Sequence, residues 1–151
     1  MTNNVKDKLY TMCCETVQNR IDVIKDALSA AQESANNETK STAGDKHDTS
    51  RAMMQLEVEQ KSKQLAEAEK LKTALAQFNG GTNNTSAQLG SLVFTDAGNY
   101  YISVSVGKLD IKDDMFFAVS PVSPIASQMI GKKEGEKFNF NGRNITISEI
   151  R

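Results

Sequence analysis

The first 43 residues contain neither glycine nor proline, the two residues that most readily interrupt a helix. Apolar residues recur within this run at steps of three and four, which places them on one side of an α-helix. A second run of the same kind lies between Gly44 and Gly80. The first stripe consists of Val5, Leu9, Met12/Cys13, Val17, Ile21, Ile24, Leu28 and Ala31, and the second of Met54, Val58, Leu65, Ala68, Leu71/Lys72, Leu75 and Phe78. The pattern predicts two long helices, each with one narrow apolar face.

The length of these helices predicts how they pack. Each run has about 30 residues and would reach on the order of 45 Å at about 1.5 Å per residue. A compact core built by 151 residues cannot cover helices of that length. The apolar stripe of one helix therefore has to cover the stripe of the other, and we predict an antiparallel coiled-coil hairpin over residues 1–78.

A polar stretch between the two apolar stripes predicts the tip of this hairpin near residues 40–48. Gly44 suits the end of the turn, and Asp48 or Thr49 suits the N-cap of the second helix. The tip then carries two carboxylates, Asp45 and Asp48, on either side of His47, the only histidine of the chain. Aspartates at such a place are most often turn and capping residues, and a single exposed histidine is most often a solvated bystander. We assign no role to His47.

The pattern changes after a linker at residues 79–86, which contains no apolar side chain. Beyond it the apolar residues alternate, which predicts strands at 91–94, 100–106 and 115–119. A short helix is expected at 123–131, with Pro124 in its first turn and Gly131 just past its end. Asn141-Gly142 is a strong hairpin signal between two last strands. The chain is thus predicted to be an α+β protein whose C-terminal domain, residues 87–151, is a small antiparallel sheet with one short helix.

Charge and composition limit the function classes. A formal net charge of −1 argues against a basic surface that binds nucleic acid regardless of sequence. Cys13 and Cys14 are adjacent and have no spaced Cys/His partners for zinc, so we expect reduced thiols that pack as small hydrophobic groups. No export signal or membrane-spanning run is present, so a cytoplasmic location is expected. No nucleophile with a base and no phosphate-binding loop is recognisable, so we do not expect an autonomous enzyme.

The C-terminal residues are similar to a known signature. Ser123-Pro124-Ile125-Ala126, followed by Met129 to Glu136 with its Gly-Lys-x-x-Gly, resembles the signature of the Gre-type transcript cleavage factors. Gly90-Ser91 and Val106-Gly107 with Asp110 match the upstream spacing of that domain. In the Gre family a coiled-coil hairpin precedes an FKBP-like domain, and the hairpin tip carries an acidic pair. The segment from Gly44 to Thr49 resembles that tip, with Asp48 standing where the family usually has glutamate.

The resemblance implies a factor that binds bacterial RNA polymerase and inserts its hairpin into the secondary channel. Asp45 and Asp48 would then act in trans at the polymerase active site, where they help to hold a second Mg²⁺ while backtracked transcript RNA is cleaved. Ser123, Pro124 and Lys132 would frame the docking face on the polymerase. By this interpretation the free protein is a monomer with no tightly bound cofactor, and its Mg²⁺ is shared with the polymerase.

Two other interpretations stay open at the level of sequence. In the first, a Gre-like regulator occupies the same channel without promoting cleavage. In the second, the FKBP-like sheet is a protein-interaction or chaperone module and the hairpin acts as a clamp. The first differs from a cleavage factor only at the tip, and the second predicts no affinity for RNA polymerase.

Overall fold

The structure, a computed structural model, describes residues 3–39, 44–78 and 84–151, with the side chains of 3–4, 38–39 and 44–48 outside the description. Two long helices come first, α1 (Asn3–Thr39) and α2 (Gly44–Phe78). Six strands and one short helix follow: β1 (Leu92–Thr95), β2 (Gly98–Ile102), β3 (Gly107–Ile111), β4 (Asp114–Val119), α3 (Pro124–Met129), β5 (Lys137–Phe140) and β6 (Arg143–Ile150). The protein is therefore of the α+β class, as the sequence predicts.

The contacts divide the chain into two compact units, one formed by Val17–Lys72 and the other by Met1–Thr16 together with Thr73–Arg151. The first unit contains the larger parts of α1 and α2. The apolar stripe residues of this unit are buried or half-buried, with Val17, Ile21, Ala31 and Ala68 the most fully covered, whereas Lys72 is exposed. Off the stripe, Val23 and Met53 are each 67% exposed. The three-and-four spacing thus identified the packed side of each helix.

The second unit contains one six-stranded sheet in the order β3-β4-β2-β1-β6-β5. Four of its five pairings are antiparallel, and the pairing of β2 with β4 is parallel. The prediction of an antiparallel sheet is therefore wrong at this one pairing. Chain continuity explains it, because β3 turns directly into β4, and β4 then enters the sheet beside β2 in the same direction.

Each face of this sheet carries its own layer of apolar side chains. One face packs against α3 through a buried cluster of Ala87, Val93, Ile102, Met129, Phe138, Ile145, Ile147 and Ile150. Alternation along the strands directs Leu92, Tyr101, Phe116 and Ala118 to the opposite face, where all four are buried. Both faces are therefore covered, which accounts for the nearly continuous apolar character of Leu92-Val93 and Tyr101-Ile102.

The first turns of α1 cover that opposite face. Cys13 Sγ lies 3.7 Å from Ser103 Oγ, just after β2, and both side chains are buried. Tyr10 links the same turns to the end of α2: its hydroxyl donates to the Leu75 carbonyl at 2.7 Å, and its ring meets Phe78 edge to face at 5.8 Å. The base of the helical hairpin and the sheet therefore share one core within this unit.

Two boundaries differ from those predicted by four residues or more. The helix α2 begins at Gly44, four or five residues before the predicted N-cap at Asp48 or Thr49. Aspartate near a helix N-terminus is favoured by the helix dipole as well as by capping, so its presence did not define the first residue. The predicted strand over 100–106 ends at Ile102, and a separate strand, β3, begins at Gly107 with a φ of 89°.

The last residues of the predicted linker are held by the C-terminal sheet. The Asn84 side chain donates to Ser91 Oγ at 2.9 Å and accepts from the Gln88 side chain at 2.8 Å. Ser86 forms an isolated bridge with Lys133. Hydrogen bonds of side-chain amides and hydroxyls replace the missing apolar contacts here. The pattern of apolar residues in the sequence does not reveal such bonds. Residues 79–83 of the linker lie outside the described part of the chain.

Candidate functional site

The two predicted tip carboxylates fall within the first residues of α2. Asp45 and Asp48 both follow its first residue, Gly44, and their side chains lie outside the described part of the protein. The predicted turn residues 40–43 lie outside it as well. Among the side chains that are described, no group of three or more His, Cys, Asp or Glu is placed to hold a metal ion. The metal-binding role of Asp45 and Asp48 therefore stays a prediction.

The predicted docking residues Ser123 and Pro124 build the start of α3. Ser123 is the N-cap, with extended backbone angles, and its hydroxyl accepts from the Ala126 amide at 3.4 Å. The same hydroxyl donates to the Ser120 carbonyl at 2.7 Å. Pro124 occupies the first helical position, where its missing N–H costs nothing. The Ser-Pro pair thus starts a helix of only six residues and joins it to the preceding loop.

Lys132 lies just beyond the other end of α3, where the chain turns on Gly131 at a φ of 85°. The Gly131 amide donates to the Ala87 carbonyl and the Ala87 amide donates to the Lys132 carbonyl, each at 2.8 Å. This reciprocal pair holds α3 against the segment before β1. The Lys132 side chain is half-buried. Ser123 and Pro124 therefore mark one end of α3, and Lys132 marks the other.

Apolar side chains are exposed beside these predicted docking residues. Val122 directly precedes Ser123 and is 87% exposed, and Ile130 directly precedes Gly131 and is 41% exposed. Leu89 is 45% exposed and follows Ala87, the residue that pairs with Gly131 and Lys132. Residues 122–124 and 130–132 together with Leu89 are called the α3 surface here.

A second group of polar side chains, which the sequence did not reveal as a cluster, lies at the base of the hairpin. Tyr101 is fully buried, and burial raises the pKa of its phenol far above the ordinary value. Burial likewise raises the pKa of Cys13 to about 11, against a smaller opposing effect of its contact with Ser103. Lys6 is 3% exposed, and burial lowers its pKa, with the nearby Asp7 acting in the opposite direction.

These shifts assign a packing role to Cys13. A thiol with a pKa of about 11 is protonated at neutral pH and is a poor nucleophile and metal ligand. The expectation that it packs as a small hydrophobic group agrees with its complete burial. The burial of Lys6 had a signal in the sequence, because it lies one heptad before Cys13 and therefore on the apolar side of α1.

Comparison with protein-family models and with curated protein sequences finds no match to this chain. No helix within the described residues combines the length and the apolar content needed to cross a bilayer.

Proposed function

We propose that this protein is a transcription elongation factor of the Gre type, which binds RNA polymerase and stimulates cleavage of backtracked transcripts. The observation that carries the proposal is the architecture behind the signature residues. The Ser-Pro pair caps a short helix, Gly131 turns the chain back onto Ala87, and a helical hairpin of 37 and 35 residues precedes this sheet domain. A hairpin followed by a sheet domain with this capped helix is the arrangement that the resemblance implies, including an FKBP-like identity for the sheet.

The chemistry in this proposal belongs to the polymerase, and the factor contributes carboxylates. Hydrolysis of a phosphodiester by two metal ions requires oxygen ligands for the second, weakly held Mg²⁺ and a group that orients the attacking water. One or two carboxylates suffice, because Mg²⁺ keeps several waters and uses phosphate oxygens as ligands. Asp45 and Asp48 would supply them from the first turns of α2. The partner is RNA polymerase, the transcript is reached only at its active site, and the setting is the cytoplasm.

Docking in this proposal uses the α3 surface. Val122 and Ile130 offer exposed apolar area at its two ends, while Ser123, Pro124 and Lys132 set the backbone path and the polar rim. Central apolar contacts with a polar rim are the usual composition of protein interfaces. The hairpin would then be the part that enters the channel.

One residue favours the second candidate, a regulator that occupies the channel without promoting cleavage. Asp48 stands where the Gre family usually has glutamate, and its side chain is one methylene shorter. A bridging water can restore the contact with Mg²⁺, in which case cleavage is retained. If water does not bridge the gap, polymerase binding persists and stimulation of cleavage is lost.

A transcript cleavage assay on a stalled elongation complex separates these functions. We expect the parent protein to accelerate cleavage, and we expect Asp45→Asn with Asp48→Asn to lose most of this stimulation while it still binds polymerase. Asp26→Asn, an exposed aspartate elsewhere on α1, is the matched control and should behave as the parent. If the doubly substituted protein stimulates as strongly as the parent, the role of the tip is wrong. If the parent does not bind polymerase at all, the whole proposal fails.

A further inference from the structure

The strand β3 forms one edge of the six-stranded sheet. It joins β4 through a two-residue turn, Lys112-Asp113, and Ile111 and Asp114 close the hairpin. In an antiparallel pair, residues whose backbone groups bond to the partner strand alternate with residues whose backbone groups point away from it. The pair that closes a two-residue turn is of the bonded kind. The N–H and C=O groups of Lys108 and Asp110 therefore point away from β4. Among the described residues, none of these four groups forms a backbone hydrogen bond to another loop or turn.

A groove of about 400 Å³ runs beside the end of this edge, between β3 and the first turns of α1. Its floor includes Met12 and Ile111, which are both half-buried. Three of its four charged lining residues are acidic, and two of these, Asp7 and Glu15, lie on α1. The lining residues on the α1 side are Asp7, Lys8, Thr11, Met12 and Glu15, and those on the strand side are Asp110 and Ile111.

We propose that the β3 edge and this groove bind an extended, lysine-bearing segment of a partner protein, which adds to the sheet as a seventh strand. Strand addition uses the outward backbone groups for affinity and the side-chain surroundings for specificity. Here the surroundings are the two carboxylates of α1, Asp7 and Glu15, with an apolar floor, a combination that suits the long apolar stem and charged end of a lysine. The proposal goes beyond transcript cleavage, and it holds whether or not the chain acts on RNA polymerase.

The spacing of the carboxylates on α1 suggests which pattern the added strand carries. Asp7, Thr11 and Glu15 are successive fourth residues, so they recur about every 6 Å along the helix. Side chains on one face of a strand recur about every 6.6 Å. Lysines at every second position of the partner segment therefore come within reach of this row of side chains.

Charge also accounts for the selectivity of the edge. Lys108 and Asp110 form an exposed ion pair at 3.9 Å on the edge strand itself. Charged residues on an edge strand oppose indiscriminate pairing with other chains and with further copies of the same protein. A segment with complementary charge avoids this penalty because its lysines meet the carboxylates of the groove.

Titration of the full chain with a synthetic peptide tests the proposal. The probe is acetyl-Thr-Lys-Val-Lys-Val-Lys-Thr-amide, and the comparison peptide carries glutamate in place of each lysine. We expect the peptide to add antiparallel to β3, so that the lysine peptide shifts the amide resonances of Lys108 and Asp110 and gives close Hα–Hα contacts between itself and β3, which are characteristic of antiparallel strand pairing. The glutamate peptide should leave these resonances unchanged.

Two substitutions separate the groove from the edge. Glu15→Lys reverses one exposed carboxylate of the groove and should weaken binding about tenfold, whereas Glu33→Lys makes the same charge change elsewhere on α1 and should alter affinity less than about twofold. Lys108→Pro removes an outward N–H without removing a bond to β4 and should abolish the Hα–Hα contacts, with unchanged circular dichroism as the folding check. Equal binding of both peptides, equal weakening by the two glutamate substitutions, resonance shifts confined to other strands, or no binding would each overturn the proposal.

Discussion

Cys13 Sγ lies 3.7 Å from Ser103 Oγ, although 90 positions separate the two residues along the chain. The contact joins α1 to the segment that follows β2, in the core shared by the hairpin base and the sheet. Cys13 has no exposed surface, and burial raises its pKa to about 11 from an ordinary value of 9.0. Since folding favours the protonated thiol, its stabilising effect is fully present below pH 9.0 and disappears as the pH rises towards 11.

The stability of the protein should therefore fall in alkali in a way that depends on Cys13. Between neutral pH and about pH 10, the parent should lose about 1 kcal/mol more free energy of unfolding than Cys13→Ala does. Urea unfolding at the two pH values measures this difference. The same dependence in Cys13→Ala as in the parent would contradict the assignment.

The Tyr10 hydroxyl should contribute to the stability of the hairpin base. Leu75 is among the last four residues of α2, whose carbonyls have no partner within the helix, and Tyr10 donates to one of them at 2.7 Å. Tyr10→Phe keeps the ring contact with Phe78 and should lower the free energy of unfolding by about 1 kcal/mol. Tyr10→Ala removes both interactions and should cost about 2 kcal/mol or more. Chemical denaturation measures both, and a Tyr10→Phe protein as stable as the parent would show that water replaces the hydroxyl.

The Ser123 hydroxyl should matter more than that of a neighbouring serine on the same short helix. Ser123→Ala removes the N-cap and the bond to Ser120, with an expected loss of about 1 kcal/mol. Ser127 is exposed and only donates to the Pro124 carbonyl within α3, so Ser127→Ala should cost less than about 0.5 kcal/mol. Ser123→Asp can still cap and should recover much of the loss. Thermal unfolding of the three variants provides the ranking, which fails if the two alanine variants are equally stable.

The turn between β5 and β6 should respond to backbone conformation alone. Asn141 and Gly142 have φ values of 53° and 80°, and a Cβ added at Gly142 would meet no atom within 4 Å. Gly142→Ala therefore introduces no clash and should destabilise the protein by about 1 kcal/mol through left-handed strain. Gly142→Asn should cost less, because asparagine tolerates this region. Comparison of the two melting temperatures tests the prediction, and it is contradicted if asparagine is the more harmful substitution.

Local sequence signals predicted the turns and helix ends whose conformation depends on neighbouring residues. Asn141-Gly142 predicted a two-residue hairpin, and both positions have the positive φ that the turn requires. The Ser123-Pro124 pair predicted the start of α3, and the hydroxyl of Ser123 is bonded as a cap. By contrast, β3 was missed, because its short alternation of Lys108, Leu109, Asp110 and Ile111 is weak beside the stronger apolar run that ends at Val106.

The candidate sites likewise divide into those that the local sequence indicates and those that depend on packing between distant segments. Asp45 and Asp48 could be singled out from sequence, because they lie in the polar stretch that separates the two apolar stripes. Cys13 and Ser103 could not be grouped, since they come together only where α1 packs on the sheet. The groove beside β3 depends likewise on two elements that are about 100 residues apart in the chain.

The sequence by itself determined the two long helices, their apolar sides, the α+β class and the capped turn of α3, because periodicity and capping act between residues a few positions apart. Only the tertiary structure decided that β4 runs parallel to β2, that β3 lies at an open edge, and that the base of α1 shares a core with the sheet. These features follow from burial shared between distant segments, and the apolar pattern of one segment does not specify which other segment covers it.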